Sequence, residues 1–315
     1  MDVIVTGGAG FIGSHTVDLL LSEGYDVIVV DDFYSGSLDN LPRSDGRLRV
    51  LRVDVSDWSV LRGEISRAVS SGGVVGIVHL AALINIVEVM SNPQRALDVN
   101  VKGTVNVLEL ARLLDADRVV FASSTAVHGE PLYLPVDEDH PLNPANLYGE
   151  TKVFSERLLD RYRDDYGLKT IALRYFNVYG PRMRPGPYAG VVLAFIEALL
   201  KDRRPIIYGS GFQTRDFVYV KDVAEANLLA LKTCYTGVLE IGSGVETSIK
   251  DLYYMICGVI GSCLEPEFKP PRPGDVQRSR ADIELAWKSI HWKPETGLLD
   301  GLRDTVSFYR SRFSP

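Results

Sequence analysis

The sequence predicts an α/β fold in which a doubly wound parallel sheet carries a smaller α/β lobe. Through the first half of the chain, short apolar runs suited to buried strands alternate with stretches of helical periodicity. These runs end in small or acidic residues, as expected where a parallel sheet binds ligands at the carboxyl ends of its strands. Beyond residue 176, proline and glycine recur and the alternation becomes irregular, which predicts the second lobe.

Length and composition bound the class of protein. The 315 residues, 46% of them hydrophobic, are enough for about two domains. We place the first at residues 1–176, with a segment near 214–242 returning to it, and the second mainly at 177–315. A net charge of −7 gives no general attraction to nucleic acid or to an anionic membrane. No apolar run is long enough to span a bilayer and the chain opens directly into a strand, so we expect a cytoplasmic protein.

The cysteines predict no metal site. Cys234, Cys257 and Cys263 are odd in number and lack the spacing of metal ligands. We therefore expect reduced, buried thiols.

The first element is a strand at residues 3–5, followed by three glycines and a helix. Gly7 accommodates backbone angles closed to other residues, Gly10 leaves space for a pyrophosphate, and Gly13 lets the helix pack close to the strand. The amides of the first helical turn then face the phosphates. This pattern predicts a Rossmann-type dinucleotide site.

The second strand, at residues 26–30, ends at Asp31, about where a carboxylate would accept hydrogen bonds from the adenine ribose. The same charge repels a 2′-phosphate, which favours NAD over NADP. The turn over residues 32–36 would close over the adenosine. A structural turn with an incidental aspartate is the alternative.

A third strand, at residues 48–53, ends at Asp54, which would meet the adenine edge. A fourth strand, at residues 74–80, ends in the small residues at 81–82. Asn92 and Pro93 then predict the cap and first turn of a long helix that reaches about residue 114. Asn100 on this helix either orients groups near the cofactor or is a buried structural asparagine.

A fifth strand, at residues 118–122, leads into a serine pair and a proline-rich loop that cannot be a regular element. The next helix begins near Leu147 and carries Tyr148 and Lys152 on one face. A free phenol has a pKa of about 10, and a neighbouring ammonium that stabilises the phenolate would make it a usable base. The alternative is an ordinary pair on a helix surface.

The second half is predicted in less detail. We expect strands at residues 170–174, 206–208, 214–220 and 238–241, the last returning to the main sheet, and helices at 191–201, from 221, near 281–289 and at 298–312. Residues 269–275 should form a rigid, charged turn.

Taken together, these motifs resemble the extended short-chain dehydrogenase/reductase family, and within it the UDP-glucose (UDP-galactose) 4-epimerase family. The resemblance runs essentially end to end and rests on these stretches: residues 6–13, Asp31, 79–82, Asn100, Ser123-Ser124, Tyr148 with Lys152, 174–177, 215–220 and 272–275. It implies that Tyr148 is the catalytic base, that Lys152 activates it and binds the nicotinamide ribose, and that Ser124 shares the proton path.

The resemblance also implies the residues that bind each ligand. The expected NAD-binding residues are Gly7, Gly10, Phe11, Ile12, Gly13, Asp31, Asp32, Ser35, Gly36, Asp54, Val55, Leu80, Ala81, Ala82, Asn100, Tyr148, Lys152 and Tyr175. The expected substrate-binding residues are Ser124, Tyr148, Asn177, Val191, Tyr208, Arg215, Arg272, Asp275 and Ser279. Among these, Asn177, Arg215 and Arg272 would bind the diphosphate and Asp275 the uridine ribose, whereas a solvated salt bridge is the alternative for each arginine.

The end of the fifth strand distinguishes reactions within the family. Sugar 4,6-dehydratases place acids after the serine-rich stretch, whereas this chain has Thr125 and Ala126. We therefore expect an isomerase, an NAD-dependent epimerase of galactose metabolism that inverts C4 of a UDP-hexose through a 4-keto intermediate. The alternatives are another C4 epimerase, such as one for UDP-glucuronate, a nucleotide-sugar 4-ketoreductase, or a dinucleotide-sensing protein without catalysis.

Three departures bear on substrate and assembly. Ser279 stands where some relatives have tyrosine, so UDP-N-acetylhexosamines would fit, unless the residue lies in a loop that decides nothing. His128 replaces the family's usual tyrosine and should be a packed, hydrogen-bonded side chain. Residues 83–89 are more apolar than usual.

The helices at 93–114 and 147–165 are expected to pair as a four-helix homodimer interface.

Overall fold

The computed structural model describes residues 2–43, 46–186, 189–272 and 274–313. Its strands are β1 (Asp2–Thr6), β2 (Asp26–Asp31), β3 (Leu48–Arg52), β4 (Val74–His79), β5 (Arg118–Ser124), β6 (Lys169–Tyr175), β7 (Asn177–Tyr179), β8 (Ile206–Tyr208), β9 (Thr214–Tyr219), β10 (Gly237–Ile241), β11 (Glu246–Ser248) and β12 (Glu267–Lys269). Its α-helices are α1 (Phe11–Ser22), α2 (Trp58–Ala68), α3 (Ile86–Ser91), α4 (Pro93–Leu97), α5 (Gly103–Leu113), α6 (Leu147–Tyr166), α7 (Val191–Leu200), α8 (Val220–Lys232), α9 (Ile249–Ile260), α10 (Glu284–Ile290) and α11 (Leu298–Phe313).

A seven-stranded parallel sheet forms the centre, in the order β10-β6-β5-β4-β1-β2-β3. The chain winds outward in one direction from β1 to β3 and in the other from β4 to β10. The strand order therefore reverses between β1 and β4, and a crevice opens there at the carboxyl ends of the strands. This arrangement confirms the predicted doubly wound α/β class.

Helices cover both faces of this sheet, which explains why its inner strands β1, β2 and β4 are mostly apolar and buried. Because side chains alternate along a strand, Val3 and Val5 pack into one buried cluster with residues of α1 and α8. Ile4 points into the other cluster, which contains residues of α2, α5 and α6.

The second lobe has its own core and two small sheets. Residues of α7, α9 and α11 form a third buried cluster. In one small sheet β9 lies between β11 and β7, and in the other β8 pairs with β12. The chain crosses between the lobes, because β9 lies in the small sheet whereas β10 pairs with β6 in the central one.

Two predicted helices differ from those observed. Asn92 caps α4 as expected, with its side chain accepting from the Arg95 amide at 3.2 Å, but the helix is interrupted by a π-helical segment at Asp98–Lys102 before α5. Such wide turns insert one residue into the helical winding, which apolar periodicity does not reveal. Ala281 is not helical: it pairs with Val136 in an isolated bridge, and α10 begins at Glu284.

The expectation of buried free thiols is wrong. Cys257 and Cys263 form a disulfide across the end of α9, and Cys234 is free but exposed. An odd cysteine count does not exclude a pair, and proximity at the end of a helix is not visible in the spacing alone. Among the described residues, no helix is both long and apolar enough to cross a membrane.

Candidate active site

A cavity of about 380 Å³ occupies the crevice between β1 and β4. Of the residues predicted to bind NAD, all except Gly36 and Asn100 line it. Those that line it are Gly7, Gly10, Phe11, Ile12, Gly13, Asp31, Asp32, Ser35, Asp54, Val55, Leu80, Ala81, Ala82, Tyr148, Lys152 and Tyr175. The strand ends therefore bring residues from the whole first half of the chain to one cavity.

The glycine turn at one wall of this cavity has no room for side chains. Gly7 adopts φ +67°, and a Cβ there would lie 2.7 Å from the Ala81 amide nitrogen. A Cβ on Gly13 would lie 2.1 Å from the carbonyl oxygen of Gly7. The α1 N-terminus thus opens directly onto the cavity, and this cradle fits the pyrophosphate of a dinucleotide.

Asp31 lies beside that turn, at the end of β2. One carboxylate oxygen accepts from the Ala9 amide at 2.9 Å and the other from the Phe33 amide at 2.8 Å. Burial raises the pKa of Asp31, although these two hydrogen bonds act in the opposite direction. Gly36 does not line the cavity; a Cβ there would approach Asp31 Oδ1 to 2.9 Å. Gly36 therefore packs against the Asp31 side chain, and the contact with the cofactor that was predicted for it is not supported.

Arg95 is a cavity residue that the sequence reasoning missed. Its guanidinium pairs with Asp54 at 2.6 Å and with Asp32 at 3.2 Å. Burial would raise the pKa of Asp54, but hydrogen bonds from Ser56 and Arg95 leave it lowered. The sequence did contain one indication of this role, because Arg95 lies in the first turn of a helix that starts near the carboxyl edge of the sheet.

Asn100 lies behind the cavity rather than on its wall. It is buried, its Oδ1 accepts from the Leu83 amide at 2.7 Å, and its Nδ2 donates to the Leu83 carbonyl at 3.0 Å and to Thr151 Oγ1 at 3.1 Å. These contacts fix the chain after β4 against α6. The geometry therefore favours the structural alternative over direct contact with the cofactor.

Tyr148, Lys152 and Ser124 meet at the inner end of the cavity. Burial raises the pKa of Tyr148 to about 12, and a hydrogen bond from Ser124 acts in the opposite direction. Lys152 Nζ lies 5.8 Å from the Tyr148 ring centre and donates to the Ala122 carbonyl at 2.7 Å. Burial lowers the pKa of this lysine to about 7. In the protein alone the phenol is therefore not acidic as expected, because loss of solvent outweighs the hydrogen bond from Ser124.

Most predicted substrate residues lie outside the cavity. Ser124, Tyr148 and Asn177 line it, whereas Val191, Tyr208, Arg215, Arg272, Asp275 and Ser279 do not. The six come from the second lobe, where loops and short strands rather than the central sheet set the positions of side chains. Pro273, within the predicted charged turn, lies outside the described residues, as does Pro187.

The second lobe nevertheless pairs these residues with one another. Arg215 forms an ion pair with Asp275 and donates to the Val276 carbonyl at 2.6 Å. The Arg272 guanidinium carbon lies 4.0 Å from the centre of the Tyr208 ring. Each pair therefore joins a residue of β8 or β9 to a residue of the segment that contains Arg272 and Asp275.

Ser279 and His128 are both buried. Ser279 lies in an irregular segment, and its buried side chain does not line the cavity. His128 is packed and hydrogen-bonded as predicted: its Nε2 lies 2.8 Å from Glu240 Oε1, and its ring meets that of His140 edge-on at 5.0 Å. Within the described part of the chain, no group of three or more His, Cys, Asp or Glu side chains is arranged to hold a metal ion.

Comparison with known proteins identifies the family. Residues 3–242 match the NAD dependent epimerase/dehydratase family. The UDP-glucose 4-epimerase of Mycolicibacterium smegmatis is 41% identical over 318 residues, with 99% of each chain covered. The crystal structure of UDP-glucose 4-epimerase from Thermotoga maritima with UDP-glucose has a TM-score of 0.94 and 36% identity over the whole of both chains.

A second similar structure comes from a relative named for an N-acetylated sugar. UDP-N-acetylglucosamine 4-epimerase from Methanobrevibacter ruminantium, in complex with UDP-N-acetylmuramic acid, has a TM-score of 0.93 and 35% identity, covering 99% of this chain and 98% of its own. The family and these relatives indicate an isomerase that uses NAD, and the cavity geometry fits that cofactor. The chain belongs to the NAD dependent epimerase/dehydratase family.

Proposed function

We propose that the protein is a UDP-hexose 4-epimerase that interconverts UDP-galactose and UDP-glucose through a 4-keto intermediate. One observation carries this proposal: a half-buried tyrosine, Tyr148, shares a single cavity with the glycine turn and with Asp31. A base at one end and a dinucleotide cradle at the other are the two parts that reversible oxidation of a sugar hydroxyl requires.

The residues at the inner end divide the chemistry between them. When bound, NAD would supply the acceptor and donor of the C4 hydride, and its positive charge in the same cavity would favour the phenolate form of Tyr148. The Tyr148 phenolate oxygen takes the proton from the sugar O4 and later returns it, while Ser124 holds the same oxygen by a hydrogen bond. Lys152 is held by the Ala122 carbonyl, where its ammonium would reach the nicotinamide ribose.

Inversion also requires the 4-ketose to present its other face, so the nucleotide must be held firmly and the sugar loosely. We assign the diphosphate to Asn177, Arg215 and Arg272 and the uridine ribose to Asp275. The partly buried Arg215 supports this assignment, because a net acidic protein needs fixed cations to bind a diphosphate. We include Val191 and Tyr208 in the same nucleotide site, since Tyr208 already stacks with Arg272.

The cavity has no acid suited to elimination at the end of β5. The chain continues from Ser124 into a 3₁₀ turn at Thr125–Val127, and Ser124 Oγ accepts from the Ala126 amide at 3.2 Å. Neither Thr125 nor Ala126 carries a carboxylate, which argues against a dehydratase and for an epimerase that returns the hydride.

We also propose that UDP-N-acetylhexosamines are substrates. The small side chain of Ser279 supports this, together with the similarity to an enzyme named UDP-N-acetylglucosamine 4-epimerase. Complete absence of turnover with UDP-N-acetylglucosamine, in a preparation that turns over UDP-glucose, would contradict it.

A cytoplasmic homodimer completes the proposal. Its NAD domain comprises residues 1–176 and a returning segment near 220–242, because α8 and β10 pack with the central sheet whereas β9 stays in the second lobe. The nucleotide-sugar lobe comprises the rest of residues 177–315. Exposed apolar side chains on the helices at 93–113 and 147–166 support pairing across a two-fold axis: Leu97 is 47% exposed, Leu113 50% and Phe154 51%. A monomer by light scattering at micromolar concentration would contradict the dimer.

The function is tested by incubating the purified protein with a panel of nucleotide sugars without added reductant. We expect conversion of UDP-galactose to UDP-glucose, and NAD in the supernatant after denaturation. A 4-ketoreductase would instead consume added NADH stoichiometrically, and a dinucleotide sensor would release NAD but leave every sugar unchanged.

A further inference from the structure

A third side chain continues the row formed by the two catalytic residues on α6. Tyr148, Lys152 and Glu156 are each one helical turn apart and lie on one face of α6. Each contacts one of three consecutive residues at the end of β5. The contacts are a hydrogen bond from Ser124 to Tyr148, one from Lys152 Nζ to the Ala122 carbonyl at 2.7 Å, and one from the Ser123 hydroxyl to Glu156 Oε1 at 2.5 Å.

Glu156 is buried and held from a second side by an arginine. Arg174 Nε and Nη2 donate to the two oxygens of Glu156 at 2.9 and 2.8 Å. Arg174 also pairs with Glu240 at 3.0 Å, and the strand register places Ser123, Arg174 and Glu240 side by side on β5, β6 and β10. A bidentate pair of this kind fixes both the position and the orientation of the glutamate side chain.

The charges of this buried cluster balance only when Lys152 is an ammonium. Arg174 and Lys152 then supply two positive charges against the two carboxylates, Glu156 and Glu240. Without the charge of Glu156, Arg174 would still be compensated by Glu240, whereas Lys152 would be a buried cation with no compensating carboxylate in the cluster. Such a cation loses its proton readily.

We propose that Glu156 is a positioning residue of the reaction, which keeps Lys152 in its ammonium form. The catalytic importance of this ammonium rests on the proposed epimerase function, but its protonation does not. Glu156 also fixes Ser123, and with it the strand end that presents Ser124 to the cavity.

Other titratable groups face this cluster. Lys152 faces Tyr148 on its own helix and His79 on β4, and burial moves the pKa of Tyr148 to about 12 and that of His79 to about 3. Glu156 faces Arg174, behind which lie Glu240 on β10 and His128 in the loop after β5. Glu138 accepts from the Glu240 amide at 2.9 Å, and burial raises the pKa of Glu138 to about 7. Burial lowers the pKa of Lys152 to about 7 and Glu156 opposes that change. Because Glu138 titrates in the same range, the test reads the pKa on Lys152 itself.

The test measures the pKa of Lys152 directly in Glu156→Gln. Lys152 lines the cavity, so trace acetylation with acetic anhydride followed by peptide mass spectrometry reports its protonation at each pH, with exposed lysines as internal references. Removal of the negative charge should lower the pKa of Lys152 by roughly one unit. If the protein is an epimerase, the alkaline decline of kcat should move to lower pH by the same amount.

Glu240→Gln is the matched control, because it makes the same amide substitution on the same arginine without facing Lys152. We expect it to change stability but to leave both pH readouts in place. An unchanged Lys152 pKa in Glu156→Gln, or equal shifts in the two variants, would overturn the proposal.

Glu156→Asp serves if the glutamine variant does not fold, since it retains an ionised partner for Arg174. The shorter side chain withdraws the charge from the strand end where the ammonium lies, so the pKa of Lys152 should fall by a smaller amount. A Lys152 pKa identical to that of the wild type would again count against the role. A wild type that epimerises no sugar would contradict the proposed function alone, because the labelling needs no turnover.

Discussion

The two ends of the proposed site differ in how the protein positions their side chains. At the cofactor end, the residues follow consecutive strands of one parallel sheet, and almost all of those expected to bind NAD line the cavity. At the nucleotide end, the residues come from short strands and turns of the second lobe, and they contact one another instead. A sheet edge therefore specifies a site from sequence order alone, whereas a lobe packed over it does not.

The largest effect is expected at the shared inner end, from Tyr148→Phe. Loss of the hydroxyl removes the group that takes the O4 proton, so kcat should fall by about 1000-fold or more, while bound NAD is retained. Progress curves with UDP-galactose and cofactor release on denaturation measure the two quantities. Tyr175→Phe is the control, because Tyr175 also lines the cavity but its hydroxyl donates to Asn227 at 2.6 Å. Equal losses in both variants would contradict the assignment of the base.

Gly13→Ala tests the cofactor end of the site separately. Its methyl carbon would lie 2.1 Å from the Gly7 carbonyl oxygen, a backbone atom that cannot move freely. We expect loss of bound NAD and a decrease of about 3 kcal/mol in the free energy of unfolding, measured in urea. The control Gly63→Ala lies in α2 with no atom within 4 Å of the new carbon, and it should stabilise by about 0.5–1 kcal/mol. NAD binding unchanged in Gly13→Ala would exclude the glycine turn as the cradle.

The nucleotide end is tested by Arg215→Met. Removal of a charged hydrogen-bond donor from the diphosphate should raise KM for UDP-glucose by about 10- to 100-fold, with bound NAD unchanged. Arg278→Met is the matched control, since Arg278 pairs with Glu246 on the exposed side of the same lobe. If Arg215→Met leaves KM unchanged at an unchanged melting temperature, the pair with Asp275 is only structural.

The smallest effect concerns pH and belongs to the cofactor end. Burial lowers the pKa of His79 to about 3, and its ring nitrogens contact Thr6 at 2.7 Å and Thr104 at 3.2 Å. The unfolded chain, with a histidine pKa of about 6.5, binds the extra proton first, so this stability is complete above pH 6.5 and is lost as pH falls toward 3. At pH 4.5 the loss should be about 2.7 kcal/mol.

Urea midpoints of the wild type and His79→Asn at pH 7 and 4.5 measure this contribution. The variant should be less stable at pH 7 but should lose less stability on acidification. An equal loss in both proteins would assign the acid sensitivity elsewhere, for example to His15, whose pKa burial lowers to about 4.

The sequence predicted the cofactor end well because its signals are local. Gly7, Gly13 and Asp31 are set by backbone angles, close packing and strand ends, which leave direct traces in the order of residues. Arg95 was missed because its role depends on the way a helix from another part of the chain returns to Asp54.

Interactions at a distance explain the other differences. The sequence placed Tyr148 and Lys152 on one face of a helix, but their pKa values depend on burial by neighbouring elements and moved opposite to expectation for the phenol. Similarly, Arg174, Glu240 and Ser123 are far apart in the chain and meet only through strand register. The Tyr148-Lys152-Glu156 spacing was visible in the sequence, yet the contacts of its third member were not.

The most direct test of the account is a crystal structure of the wild type with NAD and UDP-glucose. We expect the Tyr148 hydroxyl at about 3 Å from the sugar O4, with the nicotinamide ring against the sugar C4 and Arg215 in contact with the diphosphate. A sugar bound away from Tyr148, or a nicotinamide that does not share its cavity, would contradict the account.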